Sequence, residues 1–241
     1  MKVSIHPDKN VEAIKKLIKS EDVIYRDGKA GKVNYCIVYI DSVTDKNRIG
    51  LLVLTPLSKA EPTTAKECES ILSVPDMKQT DKLDSAVKEL LNGKTLLFFE
   101  GMNKALACDF LSYQTRAVSE PPTSVVVKGP REGFTECLKT NTGLLRRRIK
   151  VKDFTVETMT LGRYSQTAVA ICYIGSIIDK KVVDEVKRRL KLIDIDGIPD
   201  SSYVGKLMVE HKTSVFKQVG STEKPDILTQ KMLEGRVGIL V

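Results

Sequence analysis

Hydrophobic positions along this chain fall into helical stripes separated by short apolar runs. Val11, Ile14, Leu17 and Ile18 recur at spacings of three and four, which predicts a helix over 10–19 with Asn10 as its N-cap. Strands are predicted over 22–26 and 33–40, around the turn Asp27-Gly28-Lys29-Ala30-Gly31. A short apolar run over 49–54 ends at Pro56. Helices are predicted over 64–72 and 81–91, the second closed by Asn92-Gly93. Segments 95–99 and 104–110 then form a predicted hairpin about Gly101-Met102-Asn103.

After a Pro-containing stretch at 119–123 the same order returns. A strand over 125–128 is broken by Gly129-Pro130, and a long helix is predicted over 131–149, with Phe134, Leu138, Leu145 and Ile149 on one face. Strands follow over 153–159 and 167–174, then a basic amphipathic helix over 180–191 with Val182, Val183, Val186 and Leu190 inward. A short strand over 192–195, helices over 202–210 and 226–233, and a strand over 236–241 complete the pattern.

The halves also share local sequence. Tyr35 to Asp41 aligns with Val169 to Gly175, both apolar runs ending Tyr-Ile, and Leu90 to Phe98 aligns with Met232 to Leu240, both reading helix end, Gly, base, strand. The expected fold is therefore α/β: two related α/β lobes from an internal duplication, with mixed sheets, joined by the Pro-containing linker. The lobes are placed at 1–122 and 123–241. The strand at 236–241 has no following partner, unlike its counterpart in the first lobe, so the second lobe is expected to be truncated, with its missing piece downstream.

The 241 residues are 41% apolar and 29% charged, within the range of soluble globular proteins and outside that of disordered chains. Aromatics are 5% and Trp is absent, which leaves little for a carbohydrate platform or an aromatic nucleic-acid surface. The net charge of +8 suggests an anionic partner. It is local, however: Lys128 to Lys152 holds eight basic and two acidic residues. Cys36, Cys68, Cys108, Cys137 and Cys172 contain no CxxC pair and read as reduced thiols, mostly buried. With only His6 and His211, neither a metal site nor a catalytic triad has material, and no cofactor is expected. The apolar runs are too short for a membrane helix.

Four features could carry chemistry. The junction Lys128-Gly129-Pro130-Arg131-Glu132-Gly133-Phe134 leads a strand into a helix N-terminus, which either binds an anion or simply shapes a tight turn. Asn141 falls on the apolar face of its helix and needs a partner. Arg146, Arg147 and Arg148 are either a charge-matched helix end or a docking surface for an acidic partner or lipid headgroups. Asp194, Asp196 and Asp200 lack the closing Glu of an EF-hand and read as a polar loop. No RNP-like motif or zinc finger supports nucleic acid as a partner.

The run Val126-Val127-Lys128-Gly129-Pro130-Arg131-Glu132-Gly133-Phe134, followed by Thr140-Asn141 and Leu145-Arg146-Arg147-Arg148-Ile149, closely resembles the signature of the A subunit of GerA-family spore nutrient germinant receptors. Ile193-Asp194-Ile195-Asp196-Gly197-Ile198, Thr222-Glu223-Lys224-Pro225-Asp226 and Leu233-Glu234-Gly235-Arg236-Val237 continue the resemblance, which is strong over 116–241. Ser124, where the family has an acid, is a small departure. The resemblance implies a non-enzymatic N-terminal domain, ahead of a membrane-spanning bundle, that takes part in nutrient sensing, receptor assembly or both. It implies a transporter-like B subunit and a lipoprotein C subunit as partners, in the spore inner membrane, with this fragment soluble and on the cytoplasmic side. A small nutrient such as an amino acid or sugar would sit between the lobes, with Lys128 and Arg131 for a carboxylate and Asn141 for orientation. The alternative is a pure docking module, in which Arg146, Arg147 and Arg148 meet another subunit, a second copy or anionic lipid.

Overall fold

The computed structural model describes residues 1–112, 132–209 and 218–241. These divide into two compact units, 1–112 with 150–152, and 132–149 with 153–209 and 218–241. The expected boundary at 122/123, the linker and the strand at 125–128 lie outside the described residues.

In the first unit, helix α1 (Pro7–Leu17) leads into strands β1 (Val23–Ala30) and β2 (Val33–Ile40). A helical stretch follows: α2 (Lys46–Ile49), a π-turn at Gly50–Leu54, and α3 (Thr55–Lys59). Then come α4 (Ala65–Ile71), β3 (Met77–Thr80), α5 (Leu83–Leu91), β4 (Thr95–Phe99) and β5 (Ala105–Cys108). The sheet order is β1-β2-β4-β5-β3. Both faces are covered. Cys36, Val38, Leu96, Phe98, Ala105 and Ala107 join one core with Ile14 of α1 and Leu83, Ala86 and Leu90 of α5. Their neighbours Ile37, Leu97, Phe99 and Leu106 join the other, with Ile49, Val53, Leu57 and Cys68. Alternate side chains point to opposite faces, so a strand covered twice reads as an unbroken apolar run.

The second unit has α6 (Leu138–Arg148), β6 (Phe154–Leu161), β7 (Thr167–Ile174), α7 (Lys180–Lys191), α8 (Ser201–Leu207), α9 (Pro225–Leu233) and β8 (Gly238–Leu240). Its sheet runs β6-β7-β8. Leu145, Phe154, Val156, Ala170, Cys172, Met232 and Leu240 form the core on one face; Val169, Ile171, Leu190, Ile198, Val204 and Met208 form it on the other.

Six expectations need correction. The sheets are not mixed: among the described residues every strand pairing is antiparallel. Two-residue and short hairpins reverse β1 against β2 and β4 against β5, and the helices between return the chain so that β4 runs against β2. The first hairpin turns at Gly31-Lys32, later than expected, because Gly28 stays in β1 opposite Tyr35. A Cβ there would lie 2.4 Å from Tyr35 Cζ, so this glycine makes room for a ring. Helix α1 starts at Pro7 after the N-cap His6, so Asn10 lies inside it and is not its cap. The apolar run at 49–54 forms a helical stretch. Pro56 has no N–H for the ladder, and the π-turn directly precedes the segment that holds it. The long helix begins at Leu138, with 132–137 outside it. The strand expected over 192–195 is irregular chain after α7. Cys36, Cys68, Cys108 and Cys172 are buried and Cys137 is exposed, all as free thiols. Among the described residues no helix is long and apolar enough to cross a membrane.

Candidate functional site

Asn141 is 3% exposed on the first turns of α6, and its amide is engaged at both ends. Its Oδ1 accepts from the Thr135 N–H at 2.8 Å, and its Nδ2 donates to the Thr135 carbonyl at 2.6 Å. The Thr135 hydroxyl in turn accepts from the Cys137 N–H at 3.2 Å. A buried amide thus pins the incoming irregular segment to the helix, satisfying polar groups that burial would otherwise penalise. This competes with helix continuation and explains why 132–137 do not wind.

The three arginines at the end of α6 separate by direction. Arg146 is 3% exposed, with its guanidinium 4.6 Å from the centre of the Phe154 ring. Arg147 and Arg148 share Glu132: Arg147 Nη1 donates to Oε1 at 3.0 Å and Arg148 Nη2 to Oε2 at 2.6 Å. Burial pushes the Glu132 carboxyl up, but the two guanidiniums outweigh it and hold it below the ordinary glutamate value. The sequence-predicted cluster of Arg146, Arg147 and Arg148 is therefore a braced helix end that buries one of its members. The structure brings these residues together with Glu132 on α6 and its approach. Lys128 and Arg131 lie outside the described residues.

The aspartates at 194–200 hold neighbours within the chain. Arg163 bonds Asp194 bidentately, Nε to Oδ1 at 2.8 Å and Nη2 to Oδ2 at 2.6 Å. Asp200 caps α8 by accepting from the Ser202 and Tyr203 N–H groups. Among the described residues no group of three His, Cys, Asp or Glu side chains could hold a metal ion. On the sheet face under α7, Glu157 accepts from Tyr173 at 2.5 Å and from Lys187 at 2.8 Å. Burial and the Glu157 carboxylate push the Tyr173 phenol up. The arrangement is a half-buried tether between α7 and the sheet.

Sequence reasoning missed a groove in the first unit. Its volume is about 950 Å³, and Thr64, Lys66, Glu69, Met77, Met102 and Lys104 contribute to its lining. These come from α4, β3 and the β4–β5 turn, three segments distant in sequence. The pattern Thr63-Thr64-Ala65-Lys66-Glu67 could have marked its rim: the Glu67 N–H donates to Thr64 Oγ1 while Glu67 accepts from the Thr63 N–H, a capping arrangement.

The family described as Bacillus/Clostridium GerA spore germination protein matches residues 12–241. Spore germination protein KA of Bacillus subtilis is 36% identical over 242 residues, covering 97% of this chain and 44% of that protein. Spore germination protein B1 of the same organism is 34% identical, covering 100% and 51%. The chain spans about half the length of these curated relatives. A further relative, the uncharacterized membrane protein YfkQ of Bacillus subtilis, is 30% identical over 90% of this chain and 44% of that protein. Among solved structures, the N-terminal domain of the A subunit of the Bacillus megaterium spore germinant receptor GerK3 superposes with a TM-score of 0.74 at 29% identity, over 100% of this chain and 92% of that one.

Proposed function

This chain belongs to the GerA family of spore germination proteins, and on that premise we propose that it is the N-terminal domain of a germinant receptor A subunit. It acts without catalysis, in nutrient sensing, receptor assembly or both. The observation that carries this reading is the whole-chain likeness to the GerK3 A-subunit domain. In this reading the complete protein lies in the spore inner membrane with a transporter-like B subunit and a lipoprotein C subunit, and this domain faces the cytoplasm. The resemblance of YfkQ, itself described as a membrane protein, is consistent with that placement.

Within the sensing role, Lys128 and Arg131 are the groups proposed to meet a nutrient carboxylate. Asn141, with both ends of its amide engaged by Thr135, is assigned to holding the segment that follows Arg131 in sequence. The test is nutrient-triggered germination of spores carrying the complete gene, read as the fall in optical density, alongside calorimetry of the domain with amino acids and sugars. Loss of both binding and germination in Arg131→Ala supports sensing. Loss of germination with no binding by the unaltered domain leaves assembly as the role. Unchanged germination when the gene is deleted from a strain lacking other receptors removes the reading.

We further propose that the two units arose by duplication. The support is a matched framework. Helices α1 and α6 both have 11 residues, β1 and β6 both 8, β2 and β7 both 8, and α5 and α9 both 9. In each unit the first hairpin pairs antiparallel with a later strand, giving β1-β2-β4 and β6-β7-β8. Asn10 accepts from the Ser4 N–H and donates to its carbonyl, both at 2.8 Å, as Asn141 does with Thr135. Gly93 and Gly235 close α5 and α9 at φ values of 95° and 85°.

A further inference from the structure

We infer that the outer edge of β8, with the exposed Ile177 and Leu233 beside it, is the seat of a further strand of this same polypeptide, supplied by the stretch that follows Val241 in the complete protein. The first unit holds the template. There β4 lies between β2 and β5, whereas among the described residues β8 pairs with β7 alone. The Glu100 N–H donates to the Asn34 carbonyl at 2.9 Å, which marks that pair as bonded in the β2–β4 ladder. Bonded and unbonded pairs alternate, so the N–H and carbonyl of Leu97 turn the other way, toward β5, where Leu106 stands opposite. Ile239 occupies the aligned place of Leu97. Its N–H and carbonyl therefore face the edge that β8 leaves open. Gly238 and Leu240 on either side of it are buried. A core strand with an unpaired edge is a template for one more strand.

The side chains beside that edge repeat the same difference. After β5 the chain of the first unit returns along the turn that follows β2. The Asp45 N–H donates to the Phe110 carbonyl at 2.9 Å, and the Ser112 N–H to the Val43 carbonyl at 3.0 Å. Between them Leu111, bridged to Thr44, packs on the core that holds Val43 and Leu91. It also covers Gly93: a Cβ there would lie 2.3 Å from Leu111 Cδ2 and 3.5 Å from Val43 Cγ2. The second unit has the same corner without the cover. Continued past the strand ends, the alignment of β2 with β7 sets Ile177 against Val43. The Ile177 N–H donates to the Ile174 carbonyl at 3.1 Å, as the Val43 N–H does to the Ile40 carbonyl at 3.3 Å. Asp179 caps α7 as Asp45 caps α2. A Cβ on Gly235 would lie 3.7 Å from Ile177 Cγ2. Yet Val43 is 3% exposed and Ile177 45%, and Leu233, the counterpart of the partly buried Leu91, is 55% exposed. The two large aliphatics left bare are the two that the return segment covers in the first unit.

That match selects the occupant. In the first unit the cover comes from the same chain, directly after β4, through a short turn at 100–104. The curated relatives are about twice the length of this chain, so a protein of their size holds polypeptide for the same return. The seat fixes its chemistry: a short apolar strand, then a large aliphatic side chain in the place of Leu111. A lipid surface has no row of backbone groups to offer the N–H and carbonyl of Ile239. The inference rests on the duplication proposed above; an occupant from another chain would remove it and leave the duplication standing.

The experiment places photo-reactive benzoylphenylalanine at position 233 of the complete protein in its own membranes, with a second probe at the exposed Ile5 as reference. Mass spectrometry of the adducts identifies the partner peptide, and mixing isotopically labelled chains tells an intrachain adduct from one with a second copy. Expected at 233 is one intrachain adduct with residues shortly after Val241, absent at 5. In a Cys137→Ser background, Ile177→Cys should react with a maleimide about tenfold more slowly than Ile5→Cys. Adding Ile239→Pro, which removes the outward N–H and no bond of the β7 ladder, should bring the rate at 177 up to that reference. No adduct at 233, an adduct there with another protein, a second copy or lipid, equal maleimide rates at 177 and 5, or a slow rate at 177 that Ile239→Pro leaves unchanged would each overturn the inference.

Discussion

Glu132 decides what the basic end of α6 can do. The carboxylate accepts from both Arg147 and Arg148, and its proton affinity in the folded chain is held below the ordinary glutamate value of 4.5. The unfolded chain then takes up this proton first as pH falls. The stabilisation is present in full above 4.5 and is lost as the pH drops through the folded value. Glu132→Gln should therefore cost about 1 kcal/mol at neutral pH, since it keeps the shape and loses the charge-assisted bonds. It should also flatten the acid limb of the stability curve below 4.5. Urea unfolding at neutral and acidic pH measures both, and an unchanged acid limb would assign that limb to other carboxylates. At this scale the sequence was half informative. A run of three arginines is visible in any reading. Which of them turns inward depends on where the helix starts, and the partner Glu132 lies in a stretch whose apolar spacing reads as helix. Asn141 was similarly visible as a polar group on an apolar face, while its partner six residues earlier was not, because only a non-helical approach brings Thr135 back to it.

The elements that could be read were those whose periodicity matches their burial. Helices α5 and α7 and strands β2, β4 and β7 stand where the apolar spacing puts them. Strand β3, Met-Lys-Gln-Thr, has no such signal: it is a half-exposed edge strand defined by its pairing with β5. The turn between β1 and β2 was misplaced because Gly28 and Gly31 look alike in sequence and serve different ends. Gly31 has φ +53, and a Cβ on it would lie 2.4 Å from the Pro62 carbonyl oxygen. Gly101 has φ +84 with open space around it. Both Gly→Ala changes incur the left-handed backbone cost of about 1–2 kcal/mol. Gly31→Ala adds a backbone collision that no side-chain rotation relieves, so it should destabilise more than Gly101→Ala, with the Pro62 carbonyl also losing its bond from the Lys32 N–H. Midpoints of chemical unfolding for the two variants compare them directly. Equal midpoints would show that the segment around Pro62 yields freely.

For the whole molecule, the +8 charge was a poor guide until it was localised, and then the arginine-rich segment turned out to be partly spent on its own helix end. The repeated order of elements was the better guide. It anticipated two α/β units but not their antiparallel sheets, since helix–strand alternation alone does not say which way the chain returns. The duplication proposal has a consequence that contacts with ligands or partners do not share. Asn10 and Asn141 occupy the fourth residue of α1 and of α6, are buried to 2% and 3% exposure, and each closes a two-bond ring with the residue six positions earlier. If the two units are copies of one framework, Asn10→Ala and Asn141→Ala should cost similar amounts, each about 1–3 kcal/mol for a buried amide whose backbone partners are left unpaired. Each loss should raise hydrogen exchange in its own unit, at the residues around Ser4 in one case and around Thr135 in the other. A large cost at Asn141 with none at Asn10 would mean that the second amide carries a load the first does not. The matched geometry would then reflect a recurring way of starting a helix, not common descent of the two halves.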